Sequence, residues 1–367
     1  MAARIGAERL AELIARMPDG VFRAETAIDG YLDSSDPARR ELPIVVTITK
    51  RGEEMIVDLT GTAPQVPDRP INMPLEGTVD IAVWLTIRSV LLDTAVHGHI
   101  PVNAGLVRPI TLVVPKGCLA NPIFPAPTIA RFCPGNQLAD TVMKALAQAV
   151  PRQVSAGIGN LKVIAFSGLE GERHWVHMEI FEGSYGGRFG RDGMDAVDTL
   201  YANTRNNPIE DIETHLPLRV LRYELRDDAV GAGAARGGLG AIREFMMLTP
   251  GGASVEGEGH RYRPWGFEGG EAGVPAKLDL IMPTGTIEAL PSKVPHRAVL
   301  AGARFVCYGP AGGGYGAPLV REPDAVLDDV LDGLISADTA AARFGVVIAA
   351  DGQHVDNAAT AAMRAAR

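Results

Sequence analysis

The stretch YANTRNNPIEDIETHLPLRVLRYELR, Tyr201 to Arg226, changes character along its length. Its end, LRVLRYELR (218–226), alternates large apolar and polar residues with the two-residue period of a half-buried β-strand. Its beginning has neither that period nor a helical one, and sets asparagine, threonine and arginine side by side. Outward from it the strand pattern returns: AIREFMML (241–248), KLDLIMP (277–283) and TGTIEALP (284–291) downstream, LKVIAFSG (161–168) and HWVHMEIFEG (174–183) upstream. The second half of the chain is therefore expected to be β-rich.

The first half reads differently. Residues 1–20 carry Ile5, Leu10, Leu13, Ile14 and Met17 among charges, an amphipathic helix whose apolar stripe needs a surface to cover it. GVFRAETAIDGY (20–31) and ELPIVVTITKRGEEMIVDLTGT (41–62) predict three strands, the last two joined by a hairpin at KRGEE. VDIAVWLTIRSVLLDTAV (79–96) predicts a buried helix, LVRPITLVVPKG (106–117) a strand, and NQLADTVMKALAQAV (136–150) a second helix with Asn136 as its cap. Residues 323–348 read as helix, short helix and strand. The fold class is α+β: a β-rich mixed architecture with antiparallel sheets and several packed helices. Three domains are expected: a mixed segment 1–150, a β-rich domain 151–320 and a helical tail 321–367.

Composition narrows the function. With 367 residues and 46% hydrophobic content the chain can bury sizeable cores, and a net charge of −9 without long basic runs excludes the footprint of a nucleic-acid binder. No stretch approaches the about 20 apolar residues of a membrane span, and no signal peptide is evident, so a cytoplasmic location is expected. The three cysteines, Cys118, Cys133 and Cys307, are widely spaced and imply neither a disulfide framework nor a zinc ribbon. The 42 glycines concentrate in GSYGGRFGRDG (183–193), GAGAARGGLG (231–240) and GPAGGGYG (309–316). None reads as a dinucleotide fingerprint opening a helix after a strand, and none carries the lysine of a phosphate loop. Two readings stand: tight turns that need positive φ, or backbone brought close to a ligand or partner.

Candidate site residues gather in the irregular segments. Arg188, Arg191, Arg205 and Arg236 offer planar donor forks, Asn203, Thr204 and Asn206 offer amides and a hydroxyl, and Asp192 and Glu213 offer carboxylates. Such a set is either a solvated structural network or a cradle for a carboxylate, phosphate or oxyanion. Among the eight histidines no H-x-x-x-H pair or H-E-x-x-H motif occurs; HGH would put His97 and His99 on one side of an extended segment, as a metal could use, but reads first as a surface loop, and only His215, beside the polar segment, is a candidate acid–base group. No metal site is expected on this chain.

Several motifs in fixed order carry a resemblance. DLTGTAPQVPDRPINMP (58–74), VNAGLVRPITLVVPKGCLANP (102–122), GGRFGRDGMDAVDT (186–199), NTRNNPIEDIETHLPLRVLRYELR (203–226), GAGAARGGLGAIREF (231–245) and SKVPHRAVLAGARFVCYGPAGGGYGAPL (292–319) together resemble the hydantoinase B/oxoprolinase family. The resemblance implies a subunit of an ATP-dependent multisubunit enzyme acting on a phosphate-activated cyclic amide of the hydantoin, lactam or oxoproline type. Within the same family it also allows a ketone carboxylase of the acetone or acetophenone type, or a noncatalytic half that docks other chains. It implies a hydantoinase A-like partner that binds ATP and magnesium, and a small-molecule substrate. It further implies an N-terminal region bearing a divalent metal, expected on a separate chain if the subunit is split between two genes, or on a preceding segment if this sequence is a piece of a longer one, because it matches about the C-terminal two-thirds of the family's usual length. No cofactor, nucleic acid or membrane is expected on this chain itself. Departures such as AVGAG (229–233), where the family usually has Ser-Gly-Gly, put glycine-by-glycine ligand contacts in doubt.

Overall fold

A computed structural model describes residues 2–30, 34–100 and 102–367. Two compact units emerge: Met1–Val154 with Leu200–Ala202, and Ser155–Thr199 with Asn203–Arg367. The fold is the expected α+β mixture with mostly antiparallel sheets. Among the described residues no helix is long and apolar enough to cross a membrane.

The first unit contains α1 (Ala2–Ala15), β1 (Gly20–Asp29), α2 (Pro37–Arg40), β2 (Glu41–Arg51), β3 (Glu54–Asp58), α3 (Asp80–Leu91), α4 (Thr94–His97), β4 (Ile110–Val113) and α5 (Phe132–Ala147). Its sheet runs β1-β2-β3-β4, with the β2–β3 hairpin turning at Gly52 as the KRGEE pattern predicts and β4 parallel to β3. Tyr31, the last residue of the expected first strand, lies outside the described residues. Within the α1 stripe Leu10, Ile14 and Met17 are buried in the unit, Leu13 is half-buried and Ile5 is exposed. Asn136 is not a cap but a buried residue inside α5, where its Oδ1 accepts the Tyr201 amide at 3.0 Å. The buried helix stops at Leu91 because Asp93 starts a new turn, accepting the Ala95 amide at 2.8 Å.

In the second unit follow β5 (Lys162–Glu170), β6 (Arg173–Phe181), α6 (Ile209–His215), β7 (Leu218–Leu225), β8 (Ala241–Met247), β9 (Gly251–Gly257), β10 (Lys277–Ile281), β11 (Ile287–Ala289), β12 (Lys293–Val299), β13 (Arg304–Tyr308), α7 (Pro323–Leu331), α8 (Ala337–Thr339) and α9 (Asn357–Ala365). Two antiparallel sheets, β11-β10-β13-β8-β7 and β12-β9-β5-β6, contribute side chains to one core. Phe166 stands at its centre, with ring centroids 5.4 Å from Phe245 and 5.7 Å from Phe305. Strands β9 and β12 escape the sequence pattern: β9 opens on two glycines, and Pro295 sits where the β12 register shifts, as a proline at a bulge does. The strand expected at the end of 323–348 is reduced to a single bridge between Ile348 and Val355.

The glycine clusters have a different physical basis from the turns expected of them. Gly190 and Gly316 do have positive φ, but most of the cluster glycines do not. They are required instead by backbone approach. A Cβ on Gly231 would stand 2.2 Å from the Gly312 carbonyl, one on Gly237 2.0 Å from the same oxygen, and one on Gly312 2.2 Å from the Tyr185 carbonyl. Amides close the assembly, Gly312 donating to Gly238 at 2.9 Å and Gly238 to Tyr185 at 2.8 Å. All three clusters therefore interlock as bare backbone.

That basis separates two substitutions. Gly312→Ala should cost about 3 kcal/mol, because rigid backbone must move to admit the methyl group. Gly285→Ala, at φ 89° with nothing near, should cost only about 1–2 kcal/mol of left-handed strain. Urea unfolding of both variants checks the ranking.

Candidate functional site

The candidate residues fall into distinct groups. Arg188 and Arg191 are exposed at the tip of a turn closed by their own backbones, with reciprocal amide–carbonyl bonds of 2.9 and 3.0 Å. Glu213 ties α6 to β7, accepting the Val220 amide at 2.9 Å and pairing with Arg219 at 3.1 Å. His215 ends α6, exposed and paired with Asp211 of the same helix at 3.1 Å.

Arg236 and Asp192 belong to a network that clamps the glycine loops to α7. The Arg236 guanidinium donates to Asp195 at 2.8 Å and Asp329 at 3.0 Å, and its amide donates to Asp192 at 2.7 Å. Arg321 bridges the same carboxylates, reaching Asp192 at 2.6 Å and Asp329 at 2.7 Å. Burial opposes both cations, but these carboxylates outweigh it and hold both guanidiniums above their ordinary pKa. Asp329→Ala would leave two buried forks short of their shared partner, and should cost about 3–5 kcal/mol in thermal unfolding.

A second centre forms around Arg243, which is 1% exposed and lies in β8. Its Nη2 donates to Glu179 Oε1 at 2.8 Å and its Nη1 to the Ile180 carbonyl at 2.8 Å, leaving only long contacts of 3.3 and 3.4 Å to Glu182. Three rings surround the guanidinium, with Tyr223 closest at 4.4 Å. The Tyr223 hydroxyl donates to Glu182 Oε2 at 3.4 Å and accepts from Asn206 Nδ2 at 2.5 Å. Thr204 donates to Asp198, whose carboxyl is raised by burial. Two members of the polar segment are thus anchored to this centre. Asn203 and Arg205 are exposed, and among the described residues make no side-chain hydrogen bond or ion pair.

Glu182 also lines a small pocket, with room for about one water molecule, together with Asn160, Lys162, Cys307 and Tyr308. Lys162 Nζ lies 2.8 Å from His260 Nε2, and burial together with the Lys162 and Lys293 charges pushes His260 down to about 2, so it is neutral and accepts. Burial pushes the Cys307 thiol up to about 11. Among the described residues no three His, Cys, Asp or Glu side chains come together to hold a metal ion.

One cation shared unequally between two carboxylates splits their behaviour. Burial raises Glu182 and the weak Arg243 contact does not compensate, so its proton is retained above the ordinary range. Burial also raises Glu179, but the hydrogen bond from His177 at 2.7 Å and the Arg243 pairing outweigh it and leave the carboxyl lowered. A pair separated in this way can supply one acid and one anion. The sequence reading missed Glu179, Glu182, Tyr223 and Arg243. The available signal was Arg243 inside AIREFMML, between large apolar residues, with two glutamates three apart in HWVHMEIFEG. Glu179 contributes stability present above its ordinary value of 4.5 and lost as pH falls through its lower folded value. Melting curves between pH 7 and about 3 should therefore fall less steeply for Glu179→Gln than for the native chain, from a lower start.

Comparison with known proteins bears on what this arrangement serves. The family described as hydantoinase B/oxoprolinase matches residues 3–318. A protein of Pseudomonas sp. (strain NS671), provisionally named as the B component of a D-/L-hydantoinase, is 58% identical over 96% of this chain and 60% of its own length. The beta component of caprolactamase from Pseudomonas jessenii is 32% identical over 96% of this chain and 61% of its own length. A crystal structure of ATP-dependent caprolactamase from that organism superposes with a TM-score of 0.84 at 28% identity, covering 99% of this chain and 63% of that one. The chain thus spans about 60% of the length of the curated relatives it matches.

Proposed function

The chain belongs to the hydantoinase B/oxoprolinase family, and from that premise we propose that it is the B-type component of an ATP-dependent enzyme that hydrolyses a cyclic amide of the hydantoin, lactam or oxoproline type. The observation that carries this reading is the 58% identity over 354 residues to the hydantoinase-type protein. The caprolactamase relatives support the same substrate class. The proposal places ATP and magnesium on a hydantoinase A-like partner, which supplies the phosphate that activates the amide. The described residues do not make a donor set for a divalent metal, and the proposal puts that metal on a further chain or region.

Substrate contact is proposed at Asn203 and Arg205, the exposed members of the polar segment, with Thr204 and Asn206 fixing it in place. An arginine fork there suits the oxyanion or phosphate of an activated amide. Arg188 and Arg191 are available on their turn for the same ligand, while Asp192, Glu213 and Arg236 would act by holding the loops. His215, exposed and paired on its own helix, is the weaker acid–base candidate.

The assembled complex should consume ATP in the presence of hydantoin, caprolactam or 5-oxoproline, and not with acetone and bicarbonate; the reverse pattern would move the chain to the carboxylases. Arg205→Ala should lower turnover about tenfold or more, the loss of one charge-assisted contact of about 1.5–3 kcal/mol. Unchanged kinetics in a normally assembled complex would remove Arg205 from the site.

A further inference from the structure

Tyr223 occupies the edge strand β7 of its sheet, and its side chain joins the exposed polar segment to the buried acids. On the outer side its hydroxyl takes the Asn206 amide at 2.5 Å, one residue from Arg205. Behind it lies Glu182 at 3.4 Å, and the Arg243 guanidinium sits 4.4 Å from the centroid of its ring. Glu182 in turn lines the small pocket. The side chains thus run in series from an exposed ligand-binding candidate, through a hydroxyl, to a buried carboxyl with a cation beside it.

We propose that Tyr223 is the catalytic acid of this site, giving its proton to the departing ring nitrogen of the cyclic amide, and that Glu182 is the positioning residue that supplies the next proton from behind. The assignment rests on the cyclic-amide reading given above. Opening the ring requires that the nitrogen leave with the electron pair of the broken C–N bond, and a proton must meet that pair. The tetrahedral carbon carries the phosphorylated oxygen, the ring nitrogen and an oxygen delivered by water, one of whose protons is on the nitrogen and the other lost to solvent. As that oxyanion re-forms C=O, the C–N bond breaks, the nitrogen takes the Tyr223 hydroxyl proton, and water hydrolyses the acyl phosphate left behind to carboxylate and phosphate. The bond between the two side chains thereby reverses: the Tyr223 oxygen, which donates to Glu182 in the resting protein, now takes the Glu182 proton, and the resulting carboxylate faces Arg243. The negative charge of the oxyanion has moved to Glu182, and solvent returns the proton.

The surroundings suit both roles. Burial raises the Tyr223 hydroxyl, so the phenol holds its proton until the nitrogen demands it. Facing Glu182 are Arg243 from β8, Tyr223 from β7, Glu179 from β6 and Asp198 from the loop. Lys162 of β5 and Tyr308 of β13 share the pocket with it. Arg243 alone among the nearest of these favours the carboxylate, while Glu179 and Asp198 favour the protonated form.

The test uses the complex assembled with its ATP-binding partner, with hydantoin and caprolactam as substrates. Tyr223→Phe keeps the ring over Arg243 and should lower kcat about 100-fold with KM within about twofold. Native turnover should fall as pH rises through the Glu182 titration, and Glu182→Gln should be slow and lack that alkaline limb. A Tyr223→Phe complex with kcat within about threefold of native, or a Glu182→Gln complex with the alkaline limb intact, overturns the assignment. Should Glu182→Gln not assemble, Tyr223→Phe decides. A native complex inert toward both amides overturns the cyclic-amide reading itself, which turnover by the native complex with an unaffected Tyr223→Phe would leave standing.

Discussion

The backbone of Gly312 passes so close to Tyr185, Gly231 and Gly237 that no side chain fits at any of these glycines, and the second unit is built around that approach. Bare backbone lets three loops distant in sequence meet with their amides and carbonyls paired, which satisfies polar groups that burial would otherwise penalise. It also fixes where the flanking charges stand. Asp192 and Asp195 leave one loop, Arg236 leaves the second, and Arg321 follows the third; together with Asp329 of α7 they form one ion network whose two arginines and Asp329 are buried. Glycine packing and ion network are therefore one device: the first sets the spacing that the second needs.

Arg243 plays the corresponding part for the candidate site, by different means. It sits within a strand covered on both faces, so its charge has to be met inside the protein. Glu179 meets it at close range, and Glu182 is left at a distance where attraction does not repay desolvation. The inequality follows from donor directions, since Nη2 points to Glu179 while the best bond of Nη1 goes to the Ile180 carbonyl. Two identical side chains three residues apart are thus shifted in opposite directions, Glu182 up and Glu179 down.

Legibility in the sequence followed the range of the interactions. The alternation of LRVLRYELR and AIREFMML, the KRGEE hairpin and the amphipathic α1 depend on neighbours within a few residues, and all appear in the structure. Strands β9 and β12 stayed hidden because glycine and proline break the pattern locally while partner strands impose it from afar. The polar segment 203–206 drew notice through its composition alone. Its division into anchored and unanchored members depends on Asp198 and Tyr223, and on no local period. Arg243 and its glutamates lay further from view, since residues some 60 apart in the chain must be paired before a charged strand residue reads as buried.

The segment and the buried centre become one site only through Tyr223. Without it, Asn203 and Arg205 would be exposed donors on an irregular loop, a common and uninformative arrangement. A loop held at Thr204 and Asn206 loses little further freedom when a ligand arrives, so the unanchored donors between and beside those anchors spend less of their binding energy on ordering. The same hydroxyl that fixes Asn206 lies against the carboxyl that burial pushes toward its protonated form. In the proposed site one side chain would set both binding geometry and proton supply, from an edge strand where Tyr223 is partly exposed to an arriving molecule.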